Sequence, residues 1–420
     1  MIKMAIKMLL VNRKKALSLI INLSIVIAMS GIIVNMIENP NMQIEYLLLN
    51  NISSTLSILY FFIIVICIWL VSYSCMYYIR VSSREFALIK LAGYDSADMI
   101  KYMLIQNSVI IGLATIIAGG LILIFIPAIQ FVVYHYLSIN KSVFYIAPVV
   151  FYECFILLLL TLIIMIFLDL YFINQIKLSE MIEAHNIIAY KTDKRIFKMP
   201  SYIFLILYFL GIIILFQGKK IDFEMAIMSL LGAVGAYGLF YYVVPNYLQA
   251  RIDTKRLKPL DYVIYGDVSL FLQQSKMLAV LVMITTIVIP IMMYACKDNF
   301  LYFLQMILIA VLSNILTWLT LYSRFKLDFQ EKRYLYQNMY KMGLTWKEIS
   351  KIIIKELLMI FLIFGLLSGI YLLTVLMTIL SYDYFDFTVL LILLEYLIPM
   401  LFCLLLLILK RKGEIKQWKK

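Results

Sequence analysis

Charged residues are scarce in this 420-residue chain. They make up 15% of it, whereas hydrophobic residues make up 64%. A soluble domain has about 45–50% apolar residues, so the composition excludes an ordinary soluble domain and indicates an integral membrane protein. Glycine and proline are also few, at 15 and 8 residues. Their scarcity excludes collagen-like chains and long disordered segments, which are rich in one or both.

Cysteine and histidine are equally sparse, at five and two residues. The cysteines lie in or beside apolar runs without a CxxC pair, which is typical of buried thiols rather than disulfides or metal ligands. His135 and His185 are far apart in sequence, so we expect no metal site. The sequence has no GxxxxGK[ST] loop and no convincing Ser/His/Asp arrangement. We therefore expect no catalytic residue and no bound cofactor in this chain.

Long apolar runs fill most of the sequence. A helix needs roughly 20 mostly apolar residues to cross a bilayer, and ten stretches meet this requirement. They are residues 16–37, 53–79, 103–134, 146–173, 200–218, 224–247, 277–296, 299–323, 356–380 and 387–409.

The basic residues predict how these spans are oriented. If the N-terminus lies inside, 33 of the 37 Lys and Arg residues fall in cytoplasmic segments, as the positive-inside rule requires. We therefore predict a multi-pass plasma-membrane protein with both termini in the cytoplasm. This topology accounts for the net charge of +13, so no nucleic-acid partner is expected. Residues 1–12 are predicted to form a basic amphipathic helix at the bilayer surface.

The most informative pattern is a segment that occurs twice, 250 residues apart. In each copy an apolar span runs into a polar turn at a glycine, Gly93 or Gly343, and a second apolar span follows. The same offset superposes Gln106 on Glu356. Such a repeat predicts that the chain consists of two related membrane halves.

These halves predict an all-α integral membrane fold. We expect ten transmembrane helices, arranged as two four-helix repeats joined by a helix pair. The predicted domains are residues 1–185, residues 186–262 with the helix pair, and residues 263–420. Gly232 and Gly235 in the pair belong to a small-residue face that favours close helix packing.

We call residues 80–102 the first elbow and residues 330–352 the second elbow. Each is predicted to extend a membrane helix into the cytoplasm, to break at its glycine, which permits the positive φ that ends a helix, and to re-enter the membrane. The first elbow has more apolar side chains than a solvated loop needs. They are predicted either to dock a partner or to pack on the membrane surface and the bundle. The candidate coupling residues are Arg84, Glu85, Phe86, Leu88, Leu91, Gly93, Met342 and Gly343.

Two carboxylic acids stand in the outer parts of corresponding spans, Glu153 in the fourth and Glu395 in the tenth. Intramembrane carboxylates usually face a bundle interior or water. Both are therefore candidates for a polar site on a substrate path or a gate. A hydrated carboxyl near the interface, or a neutral hydrogen-bonded one, is the alternative. Asp169, near the cytoplasmic end of the fourth span, is expected to snorkel or to pair with a basic residue.

The first elbow carries a motif that resembles a known family. The FtsX-like, MacB-type permeases of ABC transporters have a "REFALLRALG" element after their second helix. The similar run in this chain is Arg84-Glu85-Phe86-Ala87-Leu88-Ile89-Lys90-Leu91-Ala92-Gly93. The basic entry at residues 8–15 and the segment 176–182 also resemble that family. The second elbow is degraded, because Tyr334 and Leu335 replace Arg84 and Glu85.

Ten helices in a 4+2+4 order resemble the Bce-type branch of that family. The resemblance links this branch to resistance against peptide antibiotics in Gram-positive bacteria. The branch has a large extracellular domain between its seventh and eighth helices, where this chain has only residues 296–299 or so. The resemblance implies a permease without catalytic residues of its own. A separate cytoplasmic ATPase would bind the ATP, and two copies of it suit two elbows.

The resemblance predicts a permease that couples ATP hydrolysis to export or extraction of an amphipathic substrate, or to resistance against it. An antimicrobial peptide or a lipid is the expected substrate. Two other functions remain open on the sequence. One is a proton-coupled secondary transporter that uses Glu153 and Glu395, since repeated halves occur in such proteins too. The other is a non-transporting scaffold, for instance a partner of a sensor kinase.

Overall fold

A computed structural model describes residues 2–11, 13–40, 50–136, 141–175, 200–217, 223–254, 259–297, 300–382 and 387–418. These residues form helices and turns and contain no strand. The helices are α1 (Ile2–Val11), α2 (Arg13–Glu38), α3 (Asn50–Leu91), α4 (Ser96–Tyr136), α5 (Pro148–Gln175), α6 (Ser201–Gln217), α7 (Phe223–Ser229), α8 (Leu231–Gly238), a π-helical turn (Leu239–Val243), α9 (Val244–Thr254), α10 (Pro259–Gln274), α11 (Lys276–Ala295), α12 (Phe300–Lys341), α13 (Trp346–Tyr382) and α14 (Phe387–Trp418).

The chain forms two compact units, Met1–Ile188 and Ala189–Lys420. Within the first unit, α2 contacts α3, α4 and α5. Within the second, α11 contacts α8, α12, α13 and α14. Most residues of α2 and α11 are buried inside the protein, and a helix that is apolar all round is expected in such an interior position.

Among the residues that the structure describes, eight helical stretches are long and apolar enough to cross a membrane. They are Ala16–Glu38, Ser96–His135, Pro148–Asn174, Ile227–Ile252, Lys276–Ala295, Phe303–Lys326, Trp346–Ser381 and Phe387–Arg411. Two shorter apolar helices, Ile63–Ile79 and Ser201–Gln217, fall on the second and fifth predicted spans. The protein is therefore an all-helical, multi-pass membrane protein. The count of ten spans, the two four-helix repeats and the three domains stay predictions.

The helices that flank each elbow are longer than a bilayer requires. Helices α3 and α12 each have 42 residues, which corresponds to about 63 Å at 1.5 Å per residue. The hydrocarbon core of a bilayer is only about 30 Å thick. Both helices therefore extend well beyond the hydrocarbon before the chain turns back.

Helix α6 packs closely on α8, as the small-residue face predicted. A Cβ at Gly235 would lie 2.4 Å from the backbone nitrogen of Tyr208, and one at Gly232 would lie 1.7 Å from the Tyr371 hydroxyl. The Tyr371 hydroxyl donates to the Tyr208 carbonyl at 2.6 Å, and the Tyr208 hydroxyl donates to the Leu367 carbonyl at 2.7 Å. These two hydrogen bonds join the α6–α8 pair to α13.

We predict that Gly232→Ala destabilises the second unit. The added methyl group would overlap the Tyr371 hydroxyl and ring, and overpacking of this kind costs about 1–3 kcal/mol. Thermal unfolding of the purified protein in detergent should show a lower midpoint. Gly369→Ala is the matched control, because a Cβ there meets nothing within 4 Å. Equal midpoints for the two variants would contradict this packing.

Candidate functional site: the two elbows

Both elbows end their first helix with the same hydrogen-bonded turn. Gly93 has a φ of 87° and Gly343 a φ of 101°. In the first elbow the Gly93 amide donates to the Lys90 carbonyl at 3.1 Å, and the Tyr94 amide donates to the Ile89 carbonyl at 3.4 Å. This pattern is a Schellman motif, which satisfies carbonyls at a helix C-terminus and favours glycine at the positive φ.

The second elbow repeats these bonds residue for residue. The Gly343 amide donates to the Tyr340 carbonyl and the Leu344 amide to the Met339 carbonyl, both at 3.1 Å. The predicted break of the helix at the two glycines is therefore confirmed. The common turn also supports the sequence offset of 250.

The two elbows begin their second helices differently. In the second elbow, the Thr345 amide and hydroxyl each donate to the Glu348 carboxylate at 2.8 Å, and the Glu348 amide donates to the Thr345 hydroxyl at 3.4 Å. This reciprocal arrangement is a capping box. In the first elbow the Asp95 carbonyl accepts from the amides of Asp98 and Met99 at 3.1 and 3.0 Å.

The buried face of the first elbow packs on its own unit. Phe86 is fully buried and meets Tyr102 and Phe172 edge to face, with ring centroids 6.3 and 5.9 Å apart. Ile89 joins the same apolar cluster, which also contains Ala5 of α1. One of the two predicted roles, packing on the bundle, is thus confirmed for Phe86 and Ile89.

The other apolar side chains of this elbow are exposed. Leu88 is 61% exposed, Leu91 57% and Tyr94 39%; we call these three residues the first tip. Glu85 is partly buried, and the side chain of Arg84 lies outside the described part of the chain. The elbow therefore presents an uncovered apolar edge while its opposite face is anchored in the bundle.

The second elbow has the same two-sided construction. Phe329, Tyr336, Ile349 and Ile353 form its buried cluster. Met342, beside the turn glycine, is 83% exposed. Tyr340 is also exposed and stacks on Trp346 with ring centroids 4.6 Å apart. We call Tyr340 and Met342 the second tip.

A neutral hydrogen-bond network lies at the base of the first elbow. The Gln106 side-chain amide donates to the Tyr102 hydroxyl at 2.8 Å and to the Ala5 carbonyl at 3.3 Å, and it accepts from the Tyr78 hydroxyl at 3.1 Å. We call Tyr78, Tyr102, Gln106 and the Ala5 carbonyl the Gln106 network. It ties α1, α3 and α4 together at the point where α4 begins its apolar run.

The base of the second elbow is charged instead. Lys332 is buried and pairs with Glu356 in direct contact, with Asp328 at 3.0 Å and with Asp267 at 3.9 Å. The Tyr336 hydroxyl donates to the Glu356 carboxylate at 3.1 Å. We call these five residues the Lys332 cluster. It joins α10, α12 and α13.

Burial and mutual attraction set the protonation of this cluster. Burial alone would lower the pKa of Lys332, but Asp328, Glu356 and Asp267 raise it well above its ordinary value. Burial raises the pKa of Asp267, Lys332 opposes this increase, and Asp328 adds to it. Lys332 therefore stays charged near neutral pH, whereas Asp267 holds its proton to a higher pH than an ordinary aspartate.

The two candidate intramembrane carboxylates have different surroundings. Glu395 accepts a hydrogen bond of 2.6 Å from the Asn314 side-chain amide, which connects α14 to α12. Glu153 lines a largely apolar pocket with residues of α2, α3 and α5, among them Val26, Ile64 and Thr161. Each carboxylate is described within its own unit, and a role on a substrate path stays a prediction for both.

The expected environment of Asp169 is wrong. Its side chain is buried, and its carboxylate accepts a hydrogen bond of 2.6 Å from the Asn107 side-chain amide. The sequence suggested a basic partner or solvent because Asp169 lies near the end of its span. The neighbouring helix instead supplies a neutral donor, so the contact holds α4 to α5 within the bundle.

The Lys332 cluster is not predicted as a site by the sequence, in which Glu356 is notable only as the counterpart of Gln106. One available signal was the spacing of Asp328, Lys332 and Tyr336, which places them on one helix face at four-residue intervals. Asp267 is on a different helix, and no local pattern connects it to the other members.

We predict that Gly93→Ala and Gly343→Ala each loosen their own elbow. An L-residue in this left-handed conformation costs about 1–2 kcal/mol, which corresponds to roughly 5- to 30-fold faster local opening. Hydrogen–deuterium exchange should show the acceleration in the turn amides of the substituted elbow. Gly112→Ala is the control, because its Cβ meets nothing and its φ is not positive. Unchanged exchange in both elbow variants would show that the turns tolerate alanine.

Residues 57–178 match the family described as FtsX-like permease C-terminal. No match is found among curated proteins. The matched segment contains most of α3, the first elbow, α4 and α5. FtsX-like permeases are membrane subunits of transporters rather than enzymes, and in general they work with ABC ATPase partners. Residues 57–178 of this multi-pass membrane protein are therefore similar to an FtsX-like permease domain.

Proposed function

We propose that this chain is the permease subunit of an ABC transporter and that a separate cytoplasmic ATPase binds its two elbows. The observation that carries the proposal is the pair of exposed apolar tips, each next to a glycine turn of the same geometry. Exposed apolar groups outside the membrane spans are typical of an interaction site. The clustering of basic residues supports a cytoplasmic position for both tips and both termini.

Two tips suit an ATPase with two subunits. The first tip would contact one subunit through Leu88, Leu91 and Tyr94, and the second tip would contact the other through Tyr340 and Met342. ATP would be bound and hydrolysed by this partner, and the chain itself would bind no cofactor. The fully buried aromatic side chains of Phe86 and Tyr336 lie behind the two tips.

The elbow structure supports a route for mechanical coupling. Helix α3 runs without interruption to Leu91, and α4 starts at Ser96. A force on the first tip would therefore act on two long helices through a short turn. Because Phe86 packs on Phe172, and Gln106 binds the Ala5 carbonyl, the force would also reach α1 and α5.

The proposed substrate is amphipathic, either an antimicrobial peptide or a membrane lipid. The resemblance to Bce-type permeases supports a role in resistance against peptide antibiotics in a Gram-positive bacterium. Movement of the outer ends of the spans, which carry Glu153 and Glu395, would export or extract the substrate. A sensor kinase is proposed as an additional partner.

The test is affinity purification of the tagged protein in mild detergent, with mass spectrometry and an ATPase assay of the eluate. We expect a soluble ABC ATPase in about two copies per permease, and ATP hydrolysis by the complex. Purification without an ATPase after gentle crosslinking would contradict the proposal. Transport activity that survives ATP depletion but is lost with the proton gradient would establish the secondary transporter instead. A kinase complex without transport would establish the scaffold.

We predict that Leu88→Ser combined with Leu91→Ser weakens ATPase binding by about tenfold or more, because two apolar contacts at the centre of an interface often exceed 1.4 kcal/mol together. The amount of permease in the membrane should not change, because both side chains are exposed. The co-purified ATPase and its hydrolysis rate measure the effect.

Leu10→Ser is the matched control for this experiment. Leu10 is 64% exposed, like Leu88, but lies on α1 outside the elbow. We expect this variant to retain its ATPase. If the elbow variant and the control retain equal amounts of ATPase, the first tip is not part of the docking surface.

A further inference from the structure

The Lys332 cluster contains more acidic groups than its lysine can fully accommodate. Glu356 and Asp328 make the close contacts with Lys332, and Glu356 also accepts from the Tyr336 hydroxyl. Asp267 is the most distant of the three carboxylates, at 3.9 Å from the lysine nitrogen. Its Oδ2 atom is buried and receives no hydrogen bond from the residues that the structure describes. An ionised oxygen in that position is costly, because burial removes its hydration and no described side chain donates a hydrogen bond in its place.

The surrounding helices carry further charged side chains, but these interact with residues other than Asp267. On α10, Asp261 pairs with Lys355 of α13 at 3.6 Å, and both side chains are partly exposed. On α9, Arg251 lies over the Tyr265 ring of α10 at 5.7 Å. The charges that act on Asp267 are Lys332, which favours its ionised form, and Asp328, which disfavours it.

The corresponding position of the first elbow shows what this location requires. There Gln106 stands at the offset of Glu356, and its side chain joins three helices through neutral hydrogen bonds. Phe86 and Ser82 stand at the offsets of Tyr336 and Lys332. A structural joint at this point therefore does not need charge. The charged version has a property that the neutral one lacks, namely that it can gain and lose a proton.

We propose that the Lys332 cluster is a proton-binding site in which Asp267 Oδ2 takes up the proton, and that its occupancy sets how firmly α10 holds the second elbow. With the proton bound, the cluster has one carboxylate fewer to repel the others. Without the proton, three carboxylates share Lys332. Asp267 on α10 then has the weakest attraction to the lysine, because it is the most distant of the three. This inference does not depend on the identity of the ATPase or of the substrate.

The direction of the pH effect follows from the raised pKa of Asp267. The folded protein binds this proton up to a higher pH than the unfolded chain, in which aspartate has a pKa of about 3.9. The stabilisation from the Asp267 proton is therefore fully present below the unfolded-state pKa of about 3.9. It is lost as the pH rises through the folded-state pKa. Lys332 adds no pH dependence in this window, because its pKa is raised above its ordinary value.

The experiment is a pH titration of the full chain in detergent, followed by the infrared band of protonated carboxyl groups and by thermal unfolding. We expect Asp267→Asn to remove one carboxyl that titrates above the ordinary aspartate range and to flatten the fall in unfolding midpoint with rising pH. Asp261→Asn is the matched control on the same helix, because its ion pair is partly exposed. It should retain both signals.

A second variant keeps the test decisive if Asp267→Asn does not fold. Glu356→Gln places in the second elbow the residue type that stands in the first, and it frees Lys332 to stabilise ionised Asp267. The Asp267 titration should then move down by about one pH unit or more. Titration curves that are the same in wild type and in the Asp267→Asn protein would overturn the proposal. An unshifted carboxyl in Glu356→Gln would overturn it as well.

Discussion

Each elbow depends on a backbone that reverses direction at a residue with positive φ. The Schellman bonds at Gly93 and Gly343 satisfy the last carbonyls of a 42-residue helix within the turn itself. Because the turn needs no outside partner, the next helix can start within a few residues and pack on the previous one. Phe86 and Tyr336 are buried by this packing, while Leu91 and Met342 stay outside.

The two elbows solve the same packing problem with different chemistry. Gln106 connects helices with neutral donors and acceptors, whose strength changes little with pH or salt. Lys332 connects helices with ion pairs, which repay their desolvation only while every member has a partner. Asp267 is the weakly partnered member. The second elbow is therefore the one whose rigidity responds to protons.

Much of the fold and part of the site could be predicted from the sequence. Hydropathy locates the spans, because a bilayer admits only helices whose backbone groups are satisfied internally. Gly93 and Gly343 locate the elbow turns, because a glycine that ends a helix is a local signal. The burial of Phe86 and the exposure of Leu88 could not be predicted, since both residues are apolar and they are only two positions apart. Which of them is buried depends on where α4 and α5 lie.

The sequence by itself determined that this is a membrane protein. It also determined the positions at which the elbow helices end, and which half has the more complete elbow motif. Hydropathy, charge and glycine act over a few residues, so their consequences are visible without a fold. Only the tertiary structure decided that Asp169 meets Asn107 rather than a cation, and that Asp267 meets Lys332. These pairs are separated by 62 and 65 positions. Contacts over such distances exist only after the helices have packed.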